Sequence, residues 1–120
     1  MKMEETQQIL VYDKQHYFFR FLKYQFEKNF KFLKIKSDED LNNIEKYTTA
    51  IFVIYSESEF VDFLKLYSNG VQILVCTYNA KILDKMKNLN NITLMDTSKT
   101  KKEMVMELSN FLKLFDISAN

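Results

Sequence analysis

Proline is absent from this chain of 120 residues, and glycine, cysteine and histidine occur once each. Because Gly70 is the only glycine, the chain cannot form a glycine-rich loop of the kind that binds phosphate groups. Because Cys76 is the only cysteine, the chain can form neither an internal disulfide nor a metal site of several thiolates. We expect Cys76, which lies inside an apolar run, to be buried and inert, and His16 to be solvated.

The chain also lacks an excess of charge of one sign and lacks long apolar runs. Seventeen basic against sixteen acidic side chains leave a net charge of +1, which gives no electrostatic footprint for nucleic acid or an anionic membrane. No apolar run approaches the length that spans a bilayer, and the polar start of the chain is not a signal peptide. We therefore expect a cytoplasmic protein with neither nucleic acid nor a membrane as its partner.

The residues that are present are typical of a globular protein, with 47% apolar and 15% aromatic side chains. The length fits one domain, residues 1–120, with flexible ends at 1–7 and 117–120. Five short apolar runs, which predict strands, alternate with five amphipathic patterns, which predict helices. The predicted strands are 9–12, 31–36, 50–55, 71–76 and 92–95, and the predicted helices are 15–29, 38–47, 57–68, 80–89 and 101–115.

Polar residues mark where several of these helices begin and end. Gly70 falls where the third helix should stop. Capping-box or N-cap signals precede three helices: Ser56 with Glu59, Asn79, and Thr100 with Glu103. These signals support the division of the chain into alternating strands and helices.

The composition of the strands predicts their order in a sheet. The first, third and fourth are almost continuously apolar, which favours central parallel strands buried on both faces. Lys31, Lys34 and Lys36 interrupt the second strand and guard a sheet edge, and the short fifth strand contains Thr93. We therefore predict an α/β protein, a (βα)₅ flavodoxin-like three-layer sandwich whose parallel five-stranded sheet has the order 2-1-3-4-5.

In such a sheet, ligands bind beyond the carboxyl ends of the strands, near the point where the strand order reverses. The residues that arrive there form the candidate site of this sequence. They are Asp13 and Lys14 after the first strand, Tyr55 and Ser56 after the third, Thr77 after the fourth, and Asp96 and Thr97 after the fifth.

Two segments carry a resemblance to a known family. The segment ILVYDK resembles the first strand and acidic end of the receiver domains of bacterial two-component signalling, and VQILVCTYNA resembles their fourth strand, which ends in a hydroxyl residue. The resemblance covers residues 8 to about 116. It implies a CheY-like domain, in which an aspartate after the third strand is phosphorylated and two acidic residues after the first strand hold Mg²⁺.

The resemblance also implies that this phosphorylation site is degenerate. Asp13 fills the first acidic position, but Lys14 stands at the second, and Tyr55 stands where the phosphoacceptor aspartate belongs. Thr77 fills the hydroxyl position. In the family, a lysine after the fifth strand pairs with the phosphoryl group. Its position falls on Asp96 or Thr97 here, although Lys99 follows closely.

These replacements predict a domain that works without phosphorylation. A neutral tyrosine cannot replace a carboxylate nucleophile, and one aspartate beside an ammonium group is a poor Mg²⁺ site. We expect Lys14 to pair instead with Asp13 or Asp96. The prediction is a pseudo-receiver that is not an enzyme, has no metal or cofactor, carries no output domain, and acts by binding an unidentified signalling protein.

Two alternatives stay open. One is an active single-domain response regulator that is phosphorylated at a displaced acidic residue, such as Glu57 or Asp62. The other is a small flavodoxin-like enzyme. However, the loop after the first strand lacks both the Ser, Thr and Gly residues that a flavin phosphate needs and the cysteine of a phosphocysteine carrier.

Two helices carry more apolar side chains than one core face needs. Tyr17, Phe21 and Tyr24 form a second surface on the first helix, and Val105 and Met106 lie off the main stripe of the last. We expect these residues to contact a partner. Because receiver domains often dimerise through their fourth helix, fifth strand and fifth helix, that surface is the predicted homodimer contact.

Overall fold

The computed structural model describes residues 7–36, 49–67 and 70–119 of the chain. Its strands are β1 (Gln7–Tyr12), β2 (Phe30–Lys34), β3 (Thr49–Val53), β4 (Gln72–Thr77) and β5 (Ile92–Asp96). Its α-helices are α1 (Tyr17–Phe26), α2 (Phe60–Tyr67), α3 (Ala80–Met86) and α4 (Lys101–Ala119). The predicted helix at 38–47 and most of the predicted flexible end at 1–7 lie outside the described residues.

The five strands form one sheet, and every neighbouring pair of strands is parallel. Their order is β2-β1-β3-β4-β5. All five residues of β3 are buried, because neighbours cover both of its edges and helices cover both of its faces. The predicted α/β class and the parallel five-stranded sheet are thus confirmed.

Side chains alternate along each strand, so the sheet supports one apolar core on each face. One core joins the sheet to α2 and α3, with Phe52 stacked against Tyr12 at 4.0 Å between ring centroids. The other core joins the sheet to α1 and α4 and contains Cys76, which is fully buried as predicted. Helix residues in the two cores are Phe63, Leu66, Ile82 and Met86 on the first face, and Phe18, Leu22, Leu108, Phe111 and Leu112 on the second.

Predicted caps hold the starts of two α-helices, and the predicted glycine follows the end of a third. The Asn79 side chain accepts hydrogen bonds from the N–H groups of Lys81 and Ile82 at the start of α3. Thr100 and Glu103 exchange side-chain to backbone hydrogen bonds in both directions at the start of α4. Gly70 has φ 76°, in the left-handed region that glycine enters without a steric penalty, and lies just after α2.

The third strand is shorter than predicted, because it ends at Val53 and not at residue 55. The N–H groups of Tyr55 and Ser56 donate to the buried carboxylate of Glu59, at 2.7 and 2.8 Å. These donors are therefore lost to the sheet. The chain then makes a 3₁₀ turn, Glu57–Glu59, before α2 begins at Phe60, so the predicted helix 57–68 is α-helical only in its later part.

Within these described ranges, no helix is both long and apolar enough to cross a membrane.

Candidate functional site

The carboxyl ends of β1, β3 and β4 meet at one edge of the sheet. Tyr12 pairs with Phe52, and Val53 pairs with Cys76. The residues that follow these strands therefore lie close together. This geometry brings Asp13 into contact with Tyr55, although the two are 42 positions apart in sequence.

Asp13 is buried, with 2% of its surface exposed, and its carboxylate accepts three hydrogen bonds. Oδ1 accepts from the Tyr55 hydroxyl at 2.6 Å and from the Gln15 N–H at 3.1 Å, and Oδ2 accepts from the Phe19 N–H at 2.9 Å. Phe19 is the third residue of α1, so the Asp13 carboxylate caps the start of that helix by accepting one of its first N–H groups. His16, in the N-cap position, makes no side-chain cap bond. Both Asp13 oxygens are thus engaged.

Tyr55 is half-buried, and its hydroxyl is a donor to Asp13. Burial, and then the hydrogen bond to Asp13, raise the pKa of Tyr55 well above its ordinary value. The hydroxyl therefore keeps its proton at neutral pH. A neutral phenol is a weaker nucleophile for phosphoryl transfer than a carboxylate, and a cation that bound Asp13 Oδ1 would compete with this hydroxyl.

Thr77 and Ser56 are engaged in local turns. Thr77 is buried, and its Oγ1 accepts from the Asn79 N–H at 3.1 Å. The hydroxyl oxygens of Ser56 and Ser58 lie 2.9 Å apart, and the Ser56 N–H donates to Glu59. Each side chain stabilises the start of the helix that follows it.

The residues after β5 form a separate turn. Asp96 Oδ1 accepts hydrogen bonds from the hydroxyl and the N–H of Ser98, and these bonds lower the pKa of the Asp96 carboxyl. The Thr97 N–H donates to the carbonyl of Thr77 at 3.0 Å. Lys99 forms an ion pair with Glu107 on α4. Lys99 is therefore committed to α4 and does not supply the lysine that the resemblance expects beside Asp13.

The predicted ion pair of Lys14 with Asp13 or Asp96 is not formed. Lys14 is exposed and pairs with no carboxylate in the part of the chain that the structure describes. Asp13 is instead buried, with neutral donors bound to both of its oxygens, and Oδ1 of Asp96 accepts two hydrogen bonds from Ser98. Over the same described residues, no three His, Cys, Asp or Glu side chains gather as a metal site requires.

Glu57 and Asp62, which the sequence analysis named as alternative phosphorylation sites, both have partners in the structure. Glu57 forms an ion pair with Lys85 of α3, at 3.2 Å. Asp62, in the first turn of α2, accepts a hydrogen bond from the hydroxyl of Tyr12. Each of these two carboxylates thus already has a partner other than Asp13 or Tyr55.

A cavity beside this site was missed by the sequence analysis. It has a volume of about 300 Å³ and opens between the ends of β1 and β2. Its lining residues are Tyr12, Asp13, Lys14, His16, Lys34, Ile35 and Lys36. Because four of these seven residues are basic, we call it the basic cavity. The sequence analysis assigned Lys34 and Lys36 only to edge protection. Parallel pairing of the first two predicted strands would have placed both lysines beside Asp13.

The predicted partner surface is exposed in part. Tyr17, Tyr24 and Met106 are 69%, 80% and 59% exposed, whereas Phe21 is half-buried against the core beneath α1, and Val105 is also half-buried. The ring of Tyr24 lies under the ammonium group of Lys101, 5.9 Å from it, which connects the α1 surface to the start of α4. Three further apolar side chains are exposed and were not predicted: Val61, Leu64 and Tyr78.

Comparison with known proteins returned no matching family model, no matching curated protein and no matching solved structure. A relation to receiver domains is therefore a proposal that depends on the residues of this chain and on its fold.

Proposed function

We propose that this chain is a degenerate receiver-like domain, which takes part in cytoplasmic signal transduction by binding another protein and needs no phosphorylation to do so. Its finer architecture, on this proposal, is the flavodoxin-like (βα)₅ sandwich. It is not an enzyme and takes no cofactor or metal ion.

The observation that carries the proposal is the hydrogen bond from the Tyr55 hydroxyl to Asp13 Oδ1, at 2.6 Å. In an active receiver, the residue in the place of Tyr55 supplies the carboxylate that is phosphorylated. Here that place holds a neutral donor, and three hydrogen-bond donors bind the two oxygens of Asp13. The hydrogen bond thus gives the loops after β1 and β3 a fixed arrangement without phosphorylation.

For the partner, we propose a signalling protein or a second copy of this chain, bound through α3, β5 and α4. Met106 is the largely exposed apolar side chain of that surface, at 59%. An exposed methionine adapts to different apolar partners, because its side chain is unbranched and polarizable. No described observation favours a small flavodoxin-like enzyme, and none favours phosphorylation at Glu57 or Asp62, which already have partners.

The proposal is tested by incubating the purified chain with a small phosphodonor and Mg²⁺ and then measuring its mass under denaturing conditions. We expect no covalent phosphoryl group on the natural chain. The matched variant is Lys14→Asp with Tyr55→Asp, which restores two carboxylates beside Asp13 and is expected to gain a phosphoryl group more readily than either single variant.

A mass increase of the natural chain by one phosphoryl group, located on a carboxylate, would contradict the proposal and support an active response regulator. Mutation of Glu57 to Gln and of Asp62 to Asn would then identify the acceptor.

A further inference from the structure

We propose that the basic cavity binds a small phosphate-bearing molecule, through Lys14, His16 and Lys34. This site lies on the β2 side of Asp13, whereas Tyr55 closes the pocket on the β3 side. The proposal does not depend on the receiver-like function, because it is argued from the cavity and its charges alone.

The sheet brings the basic groups together. In the parallel pairing of β1 with β2, Val11 lies beside Lys34, and the Ile35 N–H donates to the Val11 carbonyl at 2.8 Å. The two strands end at the same edge of the sheet. Lys34 at the end of β2 and Lys36 just after it therefore lie beside Lys14, which follows β1. The cluster is therefore a product of the register and not of sequence proximity.

Two basic side chains in this cluster contact each other. Lys34 Nζ lies 3.0 Å from His16 Nε2, an arrangement in which the ammonium group donates and a neutral imidazole accepts. Neither Lys14 nor Lys34 has a carboxylate partner within the described ranges of the chain. Grouped cations without a counter-charge raise the electrostatic energy of the site, and a bound anion lowers it.

Asp13 does not supply that counter-charge. Among the described residues, it is the only acidic one that lines the basic cavity, and its three donors are the Tyr55 hydroxyl and two backbone N–H groups. None of these donors is a lysine. The positive charges of Lys14 and Lys34 together exceed the single charge that Asp13 can carry, so the cavity favours an anion.

The loop holds His16 in an unusual conformation at this cavity. Its φ of 68° lies in the left-handed region, which is sterically unfavourable for a residue with a Cβ. Backbone hydrogen bonds from the His16 N–H to Asp13, and from the Arg20 N–H to His16, stabilise this conformation. His16 is thereby kept within hydrogen-bonding distance of Lys34 before any ligand arrives.

The size and walls of the cavity favour a small molecule over a nucleic acid. A volume of about 300 Å³ is at the lower end of pockets that bind small ligands. Tyr12 and Ile35, which are 5% and 7% exposed, give it an apolar wall for a compact organic group. A net charge of +1 for the whole chain gives no extended basic surface for a nucleic-acid backbone.

The test is an NMR titration of the ¹⁵N-labelled full chain with inorganic phosphate and, separately, with ribose 5-phosphate, at constant ionic strength. Ribose serves as the neutral control. We expect saturable shift changes at the amides of 14–16 and 34–36, and a loss of affinity of about tenfold or more in Lys34→Gln. Lys34→Arg should retain much of the binding, and Lys102→Gln, at an exposed position on α4, should bind as the natural chain does.

Both phosphate ligands carry the shared chemistry of the proposal. Tighter binding of ribose 5-phosphate than of inorganic phosphate would identify a phosphate monoester as the ligand class, and equal binding would identify the free ion. The proposal is overturned if neither ligand saturates the shifts, or if Lys34→Gln and Lys102→Gln weaken binding equally. Saturation by an oligonucleotide but by neither small phosphate would also overturn it.

Discussion

The hydroxyl of Tyr55 and the carboxylate of Asp13 form the contact that decides the state of the candidate site. Asp13 has a structural task, because it caps α1 through the Phe19 N–H and fixes the preceding loop through the Gln15 N–H. Tyr55 adds a third donor from the loop after β3. Since hydrogen bonds to charged groups are stronger than those between neutral groups, this pair links two loops at low cost in conformational freedom.

Removing the hydroxyl should weaken this link. In Tyr55→Phe, Asp13 Oδ1 retains the Gln15 N–H but loses its shorter hydrogen bond. We expect a decrease of about 1–2 kcal/mol in the free energy of unfolding, because Tyr55 is half-exposed and water replaces part of the bond. Urea unfolding measures this decrease. The control is Tyr17→Phe, at a largely exposed ring, which should change the free energy by no more than about 0.5 kcal/mol.

The raised pKa of Tyr55 predicts a change of stability at high pH. An unfolded tyrosine ionises near pH 10, and below that pH the contribution of Tyr55 is complete. Above it, the unfolded chain releases a proton that the native state retains, so the free energy of unfolding falls, by at most about 1.4 kcal/mol per pH unit. The stability difference between the natural chain and Tyr55→Phe should therefore shrink as the pH rises beyond about 10. A difference that stays constant would contradict this assignment of the proton.

At the scale of elements, cap residues determine where helices begin more sharply than apolar patterns do. The sequence predicted the caps at Asn79 and Thr100, and both hold the first turns of their helices. It also predicted the capping box of Ser56 and Glu59, in which the Glu59 carboxylate accepts the Ser56 N–H, but it did not predict that the same carboxylate would bind the Tyr55 N–H. An apolar run shows which residues are buried, but it does not show where backbone pairing stops.

The cap of α4 gives a prediction for this scale. Thr100→Ala removes the side-chain acceptor of the Glu103 N–H and the donor to the Glu103 carboxylate. We expect a loss of about 1 kcal/mol in the free energy of unfolding, measured by urea denaturation. Lys102→Ala, two residues further along at an exposed position, serves as the control, and an equal loss in both variants would mean that the cap contributes nothing.

For the whole molecule, the proposed contact through α3, β5 and α4 predicts a concentration-dependent dimer. Sedimentation velocity should show a shift to monomer in Met106→Lys, because burial of an ammonium group at an apolar contact is unfavourable. Val61→Lys is the matched control, since Val61 on α2 is similarly exposed, at 62% against 59% for Met106. Equal behaviour of the two variants would exclude Met106 from the contact.

The sequence was informative about the sheet and less informative about the side chains that gather at its edge. Continuous apolar runs indicate strands that are buried on both faces, so the α/β class and the parallel sheet could be predicted. The contact between Tyr55 and Asp13 and the cluster of Lys34 with His16 depend on which strands are neighbours and on their register. Lys14 illustrates the limit, because its charge suggested an ion pair, whereas neutral donors from the backbone and from Tyr55 bind both oxygens of the buried Asp13.

On the proposed function, Tyr55 stands at the position of a receiver's phosphoacceptor, and Asp13 takes no part in phosphoryl chemistry. The most direct test of this claim is a structure of the natural chain determined in the presence of Mg²⁺ and beryllium fluoride, which mimics a phosphorylated carboxylate. We predict an unchanged pocket, with the Tyr55 hydroxyl still donating to Asp13. Beryllium fluoride bound to a carboxylate of this chain, with Mg²⁺ on Asp13 and the Tyr55 hydroxyl displaced, would contradict the claim.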